Sequence, residues 1–250
     1  MHRTIFQLGP ITIFSFGAML VVAFVTATWL ASRDAQRLPP QHRPLGPEQI
    51  IDLFCVAMLG GIVGARLWFV IQFWDAYRSQ LLKVAAIWQG GLVWYGGFLG
   101  GLLAAWGYLR VQRIPVLRGI DQFIPFVALG HGLGRLGCFL NGCCYGKPTV
   151  AWCGVLFPGR TERVIPTQLI ESGGLLLLFL GLRCLQRTRL IDQPGSVFGC
   201  YLVGYAMIRL VMEFLRGDQA IVWSGLTFPQ LVSLLVLLIG VVLVRRRAAT

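Results

Sequence analysis

The polar chemistry of this chain is concentrated in one short stretch, HGLGRLGCFLNGCCYG, which runs from His131 to Gly146. It holds one arginine, one asparagine and one histidine, together with three cysteines and five glycines. An arginine binds a phosphate at two points through its planar guanidinium fork. A cysteine becomes a nucleophile or a metal ligand once it is ionised. The stretch therefore predicts either anion binding or thiol chemistry.

The thiol chemistry is open to three interpretations. The first is a metal site formed by His131, Cys138, Cys143 and Cys144. Their spacing, H-x6-C-x4-C-C, is not a recognised zinc-binding spacing, so the sequence predicts no metal and no cofactor. A disulfide from Cys153 to Cys143 or Cys144 is the second interpretation, because these residues are predicted to lie near an oxidising outer face. Free buried thiols are the third.

The elements that position this stretch are predicted to be membrane-spanning helices. Of the 250 residues, 56% are hydrophobic and 13% are charged, and the mean hydropathy is +0.70, whereas about 25% of the residues of a soluble domain are charged. A helix needs about 20 predominantly apolar residues to cross the bilayer core. The sequence therefore predicts an all-α integral membrane protein with a single polytopic domain, residues 1–250. Its seven predicted transmembrane helices are approximately 11–31, 50–73, 89–109, 121–138, 168–186, 195–215 and 227–244.

The 22 lysines and arginines are distributed unevenly over these spans. Twelve fall on the side of the carboxyl terminus, seven fall on the opposite side, and three (Arg66, Arg135 and Arg209) lie inside spans. Because basic residues accumulate on the cytoplasmic side, we predict that the N-terminus is outside and the C-terminus is cytoplasmic. The net charge of +12 is then explained by topology and by contact with anionic lipid headgroups, and no nucleic-acid partner is expected.

The unusual polar residues of five spans fall at one predicted depth, the outer half of the bilayer. They are Arg66, Tyr95, Arg135 with Asn141, Gln168 with Glu171, and Arg209 with Glu213. An arginine inside a span costs at least ~2.5–3.5 kcal/mol on insertion scales, so three of them imply either partners or a function. Arg209 and Glu213 share a helix face, and internal pairing is one interpretation. The other is a cationic pocket for a phospholipid phosphate.

Glycines recur at small-xxx-small spacing in the second, third and fourth spans, between Gly60 and Gly64, Gly96 and Gly101, and Gly130 and Gly137. This spacing predicts that helices pack closely in a membrane. Gly142 and Gly146 lie beyond the fourth span and are interpreted as loop backbone near a ligand.

Six segments in order resemble the motifs of the bacterial prolipoprotein diacylglyceryl transferases. GLGRLGCFLNGCCYGKPT is similar to the signature of that family, G-R-x-G-N-F-x-N-x-E-x-x-G. The other five segments are SFGAML, GARLWFVI, YGGFLGG, IPTQLIES and YAMIRLVMEFLR. The resemblance covers about residues 9–245 and implies seven spans with the N-terminus outside. It also implies transfer of a diacylglyceryl group from phosphatidylglycerol to the lipobox cysteine thiol of a prolipoprotein, which forms a thioether.

Some residues of the family pattern are kept and others are replaced. The retained residues are Arg66, Gly96, Gly97, Arg135, Asn141, Gly146, Pro166, Gln168, Glu171, Arg209 and Glu213. The replacements stand at Phe16, Tyr95, Cys138, Cys143, Ile165 and Ile170, where the family has Tyr, His, Asn, Glu, His and Tyr. The phosphate-binding half of the pattern is thus retained, and the residues that transfer protons are partly replaced. The resemblance therefore indicates a divergent member.

The resemblance assigns roles to these positions. The expected catalytic residues are Arg135, Arg209, Glu213, Tyr95 and Asn141. The expected phospholipid-binding residues are Arg66, Arg135, Arg209, Gly96, Gly97, Gly146, Gln168 and Glu171. Glu213 either accepts the thiol proton or orients Arg209, and Tyr95 donates or relays a hydrogen bond.

The resemblance also implies partners and a location. The partners are phosphatidylglycerol, a lipobox prolipoprotein and membrane lipids, and the site faces the outer half of the bacterial cytoplasmic (inner) membrane. Two alternatives remain open. One is a related lipid transferase with a different acceptor, and the other is a thiol-redox or metal membrane protein on the same scaffold.

Overall fold

The computed structural model of the chain describes residues 4–8, 11–39, 43–78, 81–87, 90–188, 193–216, 221–223 and 226–245. Within these residues the protein is built mainly from helices. They are α1 (Ser15–Arg37), α2 (Pro47–Gln72), α3 (Trp74–Tyr77), α4 (Trp94–Val111), α5 (Val116–Asn141), α6 (Thr167–Leu185), α7 (Ser196–Leu215) and α8 (Phe228–Arg245). Two antiparallel strand pairs and a 3-10 helix accompany them: β1 (Thr4–Leu8) with β2 (Ile11–Phe14), β3 (Ile221–Trp223) with β4 (Leu226–Thr227), and Leu81–Ala85.

Among the described residues, six helices are long and apolar enough to cross a membrane by length and composition: α1, α2, α5, α6, α7 and α8. This finding confirms the expectation of a helical membrane protein. The predicted third span, 89–109, corresponds to α4, and its first residue, Gln89, lies outside the described residues. α4 has 18 residues, but five glycines, two tryptophans and two tyrosines lower its hydropathy.

Each of the seven helices differs from its predicted span at one end or both, and three of these differences follow from a local feature of the chain. The first span was expected from residue 11, but Ile11–Phe14 form β2, so α1 begins at Ser15 and extends to Arg37. The fourth span was expected from residue 121, but α5 begins at Val116 and continues through Pro125, although a proline removes one helical hydrogen bond. Thr227 belongs to β4, so α8 begins one residue later than predicted.

The chain divides into two compact units, residues 32–119 and the remainder. In the unit of residues 32–119, α2 and α4 pack through facing glycines. A Cβ atom built on Gly100 would lie 2.3 Å from the carbonyl oxygen of Gly60, and one built on Gly64 would lie 2.4 Å from that of Gly96. The two backbones are therefore in direct contact, as the small-xxx-small spacing predicted.

The other unit contains α6, α7, α8 and most of α1 and α5. α1 turns small side chains towards α5: Ala23 and Ala27 are buried, and a Cβ atom on Gly130 would lie 3.6 Å from that of Ala27. α7 and α8 approach each other at a glycine pair, because a Cβ atom on Gly240 would lie 2.9 Å from the carbonyl oxygen of Gly199. Small residues thus set the helix spacing in this unit as well.

Asp121 fixes the start of α7. Its carboxylate is buried and accepts hydrogen bonds from the backbone N–H groups of Gly195, Ser196 (3.2 Å) and Phe198 (2.8 Å). A negative charge at this position also suits the positive end of the helix dipole. Gln186, at the end of α6, donates to the carbonyl oxygen of Asp121 at 2.6 Å. These bonds join α5, α6 and α7, and so they fix the start of α7 relative to the other two helices.

Replacing Gly100 with alanine should lower the free energy of unfolding by about 1–3 kcal/mol, because the added methyl group overpacks the α2–α4 contact. Gly107→Ala is the matched control on the same helix, since no described atom lies within 4 Å of a Cβ atom built there. Alanine at position 107 should leave stability unchanged or raise it slightly through its higher helix propensity. Unfolding by SDS in mixed micelles, followed by circular dichroism, measures both variants. Equal stabilities would contradict a backbone contact at Gly100.

Candidate functional site

Two buried ion pairs lie in the unit that contains α5, α6 and α7. Arg135 on α5 contacts Glu171 on α6, with 2.8 Å between Nη2 and Oε1. Arg209 and Glu213, one turn apart on α7, are joined by a 3.0 Å contact between Nη2 and Oε2. The carboxylate side chains are 3% and 1% exposed, so each depends on its arginine for compensation.

Each guanidinium group keeps a buried N–H that has no acceptor among the described residues. These donors are Nε of Arg135 and Nη1 of Arg209. A buried donor without a partner costs about 1–3 kcal/mol, and an anionic ligand would satisfy both. The sequence predicted an excess of positive charge here, and that expectation is wrong for these two arginines, because each has a carboxylate partner. Each pair thus remains formally neutral and keeps one donor that an anion could use.

Glu213 is held from two sides. One of its oxygens contacts Arg209, and the other accepts a hydrogen bond from the hydroxyl of Thr227 at 2.7 Å. Thr227 is the last residue of β4 and directly precedes α8. Of the two roles expected for Glu213, the geometry favours orientation of Arg209, because Oε2 lies 3.0 Å from the guanidinium group and Oε1 accepts a hydrogen bond from Thr227.

His131 and Tyr205 lie beside the first ion pair, although neither was expected at the lipid site from the sequence. Nε2 of His131 is 4.0 Å from Oε1 of Glu171, and the ring centroids of His131 and Tyr205 are 5.5 Å apart. Tyr205 is also within electrostatic range of Arg135 and Arg209. The signal that finds them is spacing: His131 precedes Arg135 by four residues, and Tyr205 precedes Arg209 by four, so each pair shares a helix face.

The loop after α5 is fixed by side chains from the start of α6. Gln168 donates from Nε2 to the carbonyl oxygen of Cys143, and Thr167 donates from its hydroxyl to that of Cys144 at 2.7 Å. The backbone N–H of Gly146 donates to the carbonyl oxygen of Ile165 at 2.9 Å. A Cβ atom on Gly146 would lie 2.6 Å from the carbonyl oxygen of Leu215, so no larger residue fits there without a shift.

Three cysteines converge where this loop leaves α5. The sulfur atoms of Cys138, Cys143 and Cys144 all lie within 4.8 Å of one another. The pKa of the Cys144 thiol is lowered to about 5, mainly by a hydrogen bond from Cys138, with further lowering by Cys143 and by the charges of Arg135 and Arg216.

Cys138, Cys143, Cys144 and Cys153 form no disulfide bond, and Cys153 is exposed. The disulfide from Cys153 to Cys143 or Cys144, one of the interpretations of the sequence, is therefore not what the structure shows. The third interpretation, free buried thiols, is right about the redox state and wrong about burial, because Cys138, Cys143 and Cys144 are only half-buried.

Arg66 belongs to the unit of residues 32–119 and bonds to the main chain there. Its guanidinium group donates to the carbonyl oxygens of Lys83 (2.6 Å), Val84 (2.8 Å), Gly90 (2.7 Å) and Gly91 (3.2 Å). The side chain thus holds the connection between α2 and α4 in place. Its expected role in phospholipid binding stays a prediction.

The remaining expected residues are placed as follows. Tyr95 lies in the first turn of α4, is 56% exposed and packs edge-on against Trp94, with 5.3 Å between ring centroids. Gly96 and Gly97 face α2: a Cβ atom on Gly96 would lie 2.4 Å from the carbonyl oxygen of Gly64, which explains that glycine, whereas one on Gly97 would come no closer than 3.4 Å to α2. Asn141 is the half-buried last residue of α5. Their expected roles in substrate binding or catalysis stay predictions.

Arg135→Ala should lower the free energy of unfolding by about 3–5 kcal/mol, because it leaves the Glu171 carboxylate buried and unpaired. The double variant Arg135→Ala with Glu171→Ala should recover much of that loss, since no uncompensated charge remains. Arg78→Ala is the control, because Arg78 pairs with Asp75 in solvent and surface pairs contribute little. SDS unfolding measures all three variants. A double variant less stable than Arg135→Ala would refute a dominant charge-compensation effect.

Known proteins are similar to this chain over nearly its whole length. A family model described as "Prolipoprotein diacylglyceryl transferase" matches residues 3–246. The chain is 32% identical to the phosphatidylglycerol–prolipoprotein diacylglyceryl transferase of Clostridium tetani (strain Massachusetts / E88), over 96% of each chain. The proteins of the same name from Ruegeria pomeroyi and Symbiobacterium thermophilum are 34% and 35% identical, over 93% and 95% of this chain and 89% of each relative. The chain therefore belongs to the prolipoprotein diacylglyceryl transferase family.

Proposed function

We propose that this membrane enzyme transfers a diacylglyceryl group from phosphatidylglycerol to the cysteine thiol of a prolipoprotein lipobox. The thiolate sulfur attacks the glyceryl carbon that carries the phosphate, a C–S bond forms, and the C–O bond to the phosphate breaks. Glycerol phosphate leaves with the electron pair of that bond. The observation that carries the proposal is the pair of buried, unpartnered N–H donors on Arg135 and Arg209 in a chain of this family.

Arg135 and Arg209 bind the phosphate and stabilise the leaving group in this mechanism. Their ion pairs with Glu171 and Glu213 fix the direction of each guanidinium fork before substrate arrives. Donors that are already oriented towards developing negative charge are among the largest contributions to catalysis. Gln168 and Gly146 support the site by fixing the loop that closes it.

The thiol proton needs an acceptor, because a free thiol has a pKa of ~8.5 and reacts only as the thiolate. The family histidine of the third span is Tyr95 in this chain, and a tyrosine is a poor base at neutral pH. His131 is the one imidazole among the described residues, and it stands beside Glu171. It accepts the proton in our mechanism, while Glu213 orients Arg209 and Tyr95 donates a hydrogen bond.

We also propose a membrane topology for the chain. The single polytopic domain 1–250 has seven spans, with α4 as the third, the N-terminus outside and the C-terminus cytoplasmic. The arginine pairs then face the outer half of the bilayer, where a membrane-anchored acceptor cysteine and phosphatidylglycerol are both accessible. The uneven distribution of basic residues supports this orientation.

Reporter fusions after residues 78, 113, 155 and 245 test this topology. We expect the fusions after residues 78 and 155 outside and those after residues 113 and 245 in the cytoplasm. The decisive comparison is the pair that flanks α4. If the fusions after residues 78 and 113 report the same side, α4 does not span the membrane and the seven-span arrangement is wrong.

Transfer activity is tested with purified enzyme, phosphatidylglycerol vesicles and a lipobox peptide, by the mass added to the peptide. The wild-type enzyme should add one diacylglyceryl group. Arg135→Ala or Arg209→Ala should lower kcat by about 10²-fold or more, because each removes a donor to the leaving group. Lysine at either position should restore activity only partly, since an ammonium cannot form the bidentate fork. His131→Gln should reduce kcat and alter its dependence on pH.

The matched control is Arg118→Ala, an exposed arginine on the first turn of α5, the helix that carries Arg135. It should leave turnover unchanged. If Arg118→Ala loses as much activity as Arg135→Ala, the arginines act only through general membrane electrostatics. A folded wild-type enzyme that adds no mass to any lipobox peptide would refute the proposed reaction while leaving family membership intact.

A further inference from the structure

The three-cysteine cluster has the dimensions of a metal site. Its sulfur atoms lie within 4.8 Å of one another. Three thiolates in one plane around an ion, with metal–sulfur bonds of ~2.3 Å, stand about 4 Å apart. Small rotations of the side chains would therefore bring all three sulfurs into coordinating positions, and no helix would have to move.

The loop backbone is shaped to hold these sulfurs together. Cys138 lies in the last turn of α5, and the chain reverses at Gly142, whose φ is +72°. Cys144 has a φ of +62°, a conformation that residues other than glycine rarely adopt. The backbone N–H of Cys143 donates to the carbonyl oxygen of Cys138 at 3.2 Å, which closes the turn. Gln168 and Thr167 secure the other side of the turn.

We propose that Cys138, Cys143 and Cys144 form a three-thiolate binding site for a soft metal ion, with Cu(I) as the best match. Thiolates select soft ions such as Cu(I) and Zn(II). A structural zinc site needs four ligands. Among the described residues, the group consists of the three cysteines alone, and no histidine, carboxylate or further cysteine supplies a fourth ligand. Cu(I) accepts three thiolates in a plane. Binding forms three metal–sulfur bonds and releases the thiol protons without a change of oxidation state.

Charge and access both fit such a site. Three thiolates around Cu(I) leave two negative charges, and the positive charges of Arg135 and Arg216 both act on Cys144. Cys143 and Cys144 also line a cavity of about 630 Å³, together with loop residues that include Lys147 and Arg160. The cavity gives an ion a path to the sulfurs. The site lies beside Arg135, which the proposed transfer reaction also uses, but none of its three cysteines has a role in that reaction.

The test is a titration of the reduced, full-length protein with Cu(I) under anaerobic conditions, in competition with a chromogenic Cu(I) chelator. We expect one Cu(I) bound per chain. Serine at position 138, 143 or 144 should weaken binding at least tenfold, and the triple serine variant should abolish it. Cys153→Ser is the matched control, because Cys153 is exposed in the same connection but lies outside the cluster. It should bind like the wild type.

A second measurement uses the wild-type protein alone and does not depend on how variants fold. Bound Cu(I) should protect Cys143 and Cys144 from alkylation by N-ethylmaleimide and leave Cys153 reactive. Tight binding that survives in the triple variant would overturn the proposal, and so would equal protection of Cys153. A third outcome would assign the cluster to a disulfide. In that case, protein prepared without reductant would have two fewer free thiols than reduced protein, and the reduced protein would fail to bind Cu(I).

Discussion

The structure of the candidate site depends on how buried charges are compensated in an apolar chain. Glu171 and Glu213 are almost completely removed from solvent, and each is neutralised by an arginine. A lone carboxylate at either position would be strongly unfavourable, so the helices must arrive in register for the chain to fold. The Arg135–Glu171 pair sets α6 against α5, and the Arg209–Glu213 pair is tied to β4 through Thr227. The same contacts that neutralise the carboxylates also hold the two guanidinium groups, each of which keeps one buried N–H without an acceptor among the described residues.

Two kinds of scaffold support these pairs. Glycines and alanines set the spacing between helices by allowing backbones to touch, as at Gly199 and Gly240. Polar side chains then fix the helix ends, as where Asp121 receives the first N–H groups of α7. Packing alone would leave a helix free to slide along its neighbour, because apolar contacts have little direction. Buried hydrogen bonds remove that freedom, so they also fix the positions of the arginine–carboxylate pairs.

Much of this architecture could be predicted from local spacing. The pairing of Arg209 with Glu213 follows from their separation by one helical turn, and the close approach of α2 and α4 follows from their glycine pattern. The pairing of Arg135 with Glu171 could not be fixed in the same way. The sequence gives the depth of a residue along its helix but not the rotation of that helix about its axis, which arises only when the helices pack.

Two further features escaped prediction for related reasons. The convergence of Cys138, Cys143 and Cys144 depends on left-handed backbone at Gly142 and Cys144, and a cysteine carries no signal for that conformation. The strand pair that precedes α1 includes Ile11–Phe14, whose apolar residues suit a span as well as a strand. In both cases the residue types indicated the chemical properties of the segment but did not determine its backbone conformation.

The backbone contact between α2 and α4 has a consequence for biogenesis. Among the described residues, α4 is not one of the six helices that are apolar enough to cross a membrane by composition, so its position in a membrane must depend more on packing than on lipid. On the proposed seven-span topology, α4 would gain its stability in the membrane from the groove that Gly60 and Gly64 open on α2. The two helices would then enter the bilayer together as a hairpin during synthesis, with α4 packed against α2. In translocon insertion assays, α4 alone would integrate inefficiently, and α4 placed downstream of α2 would integrate well.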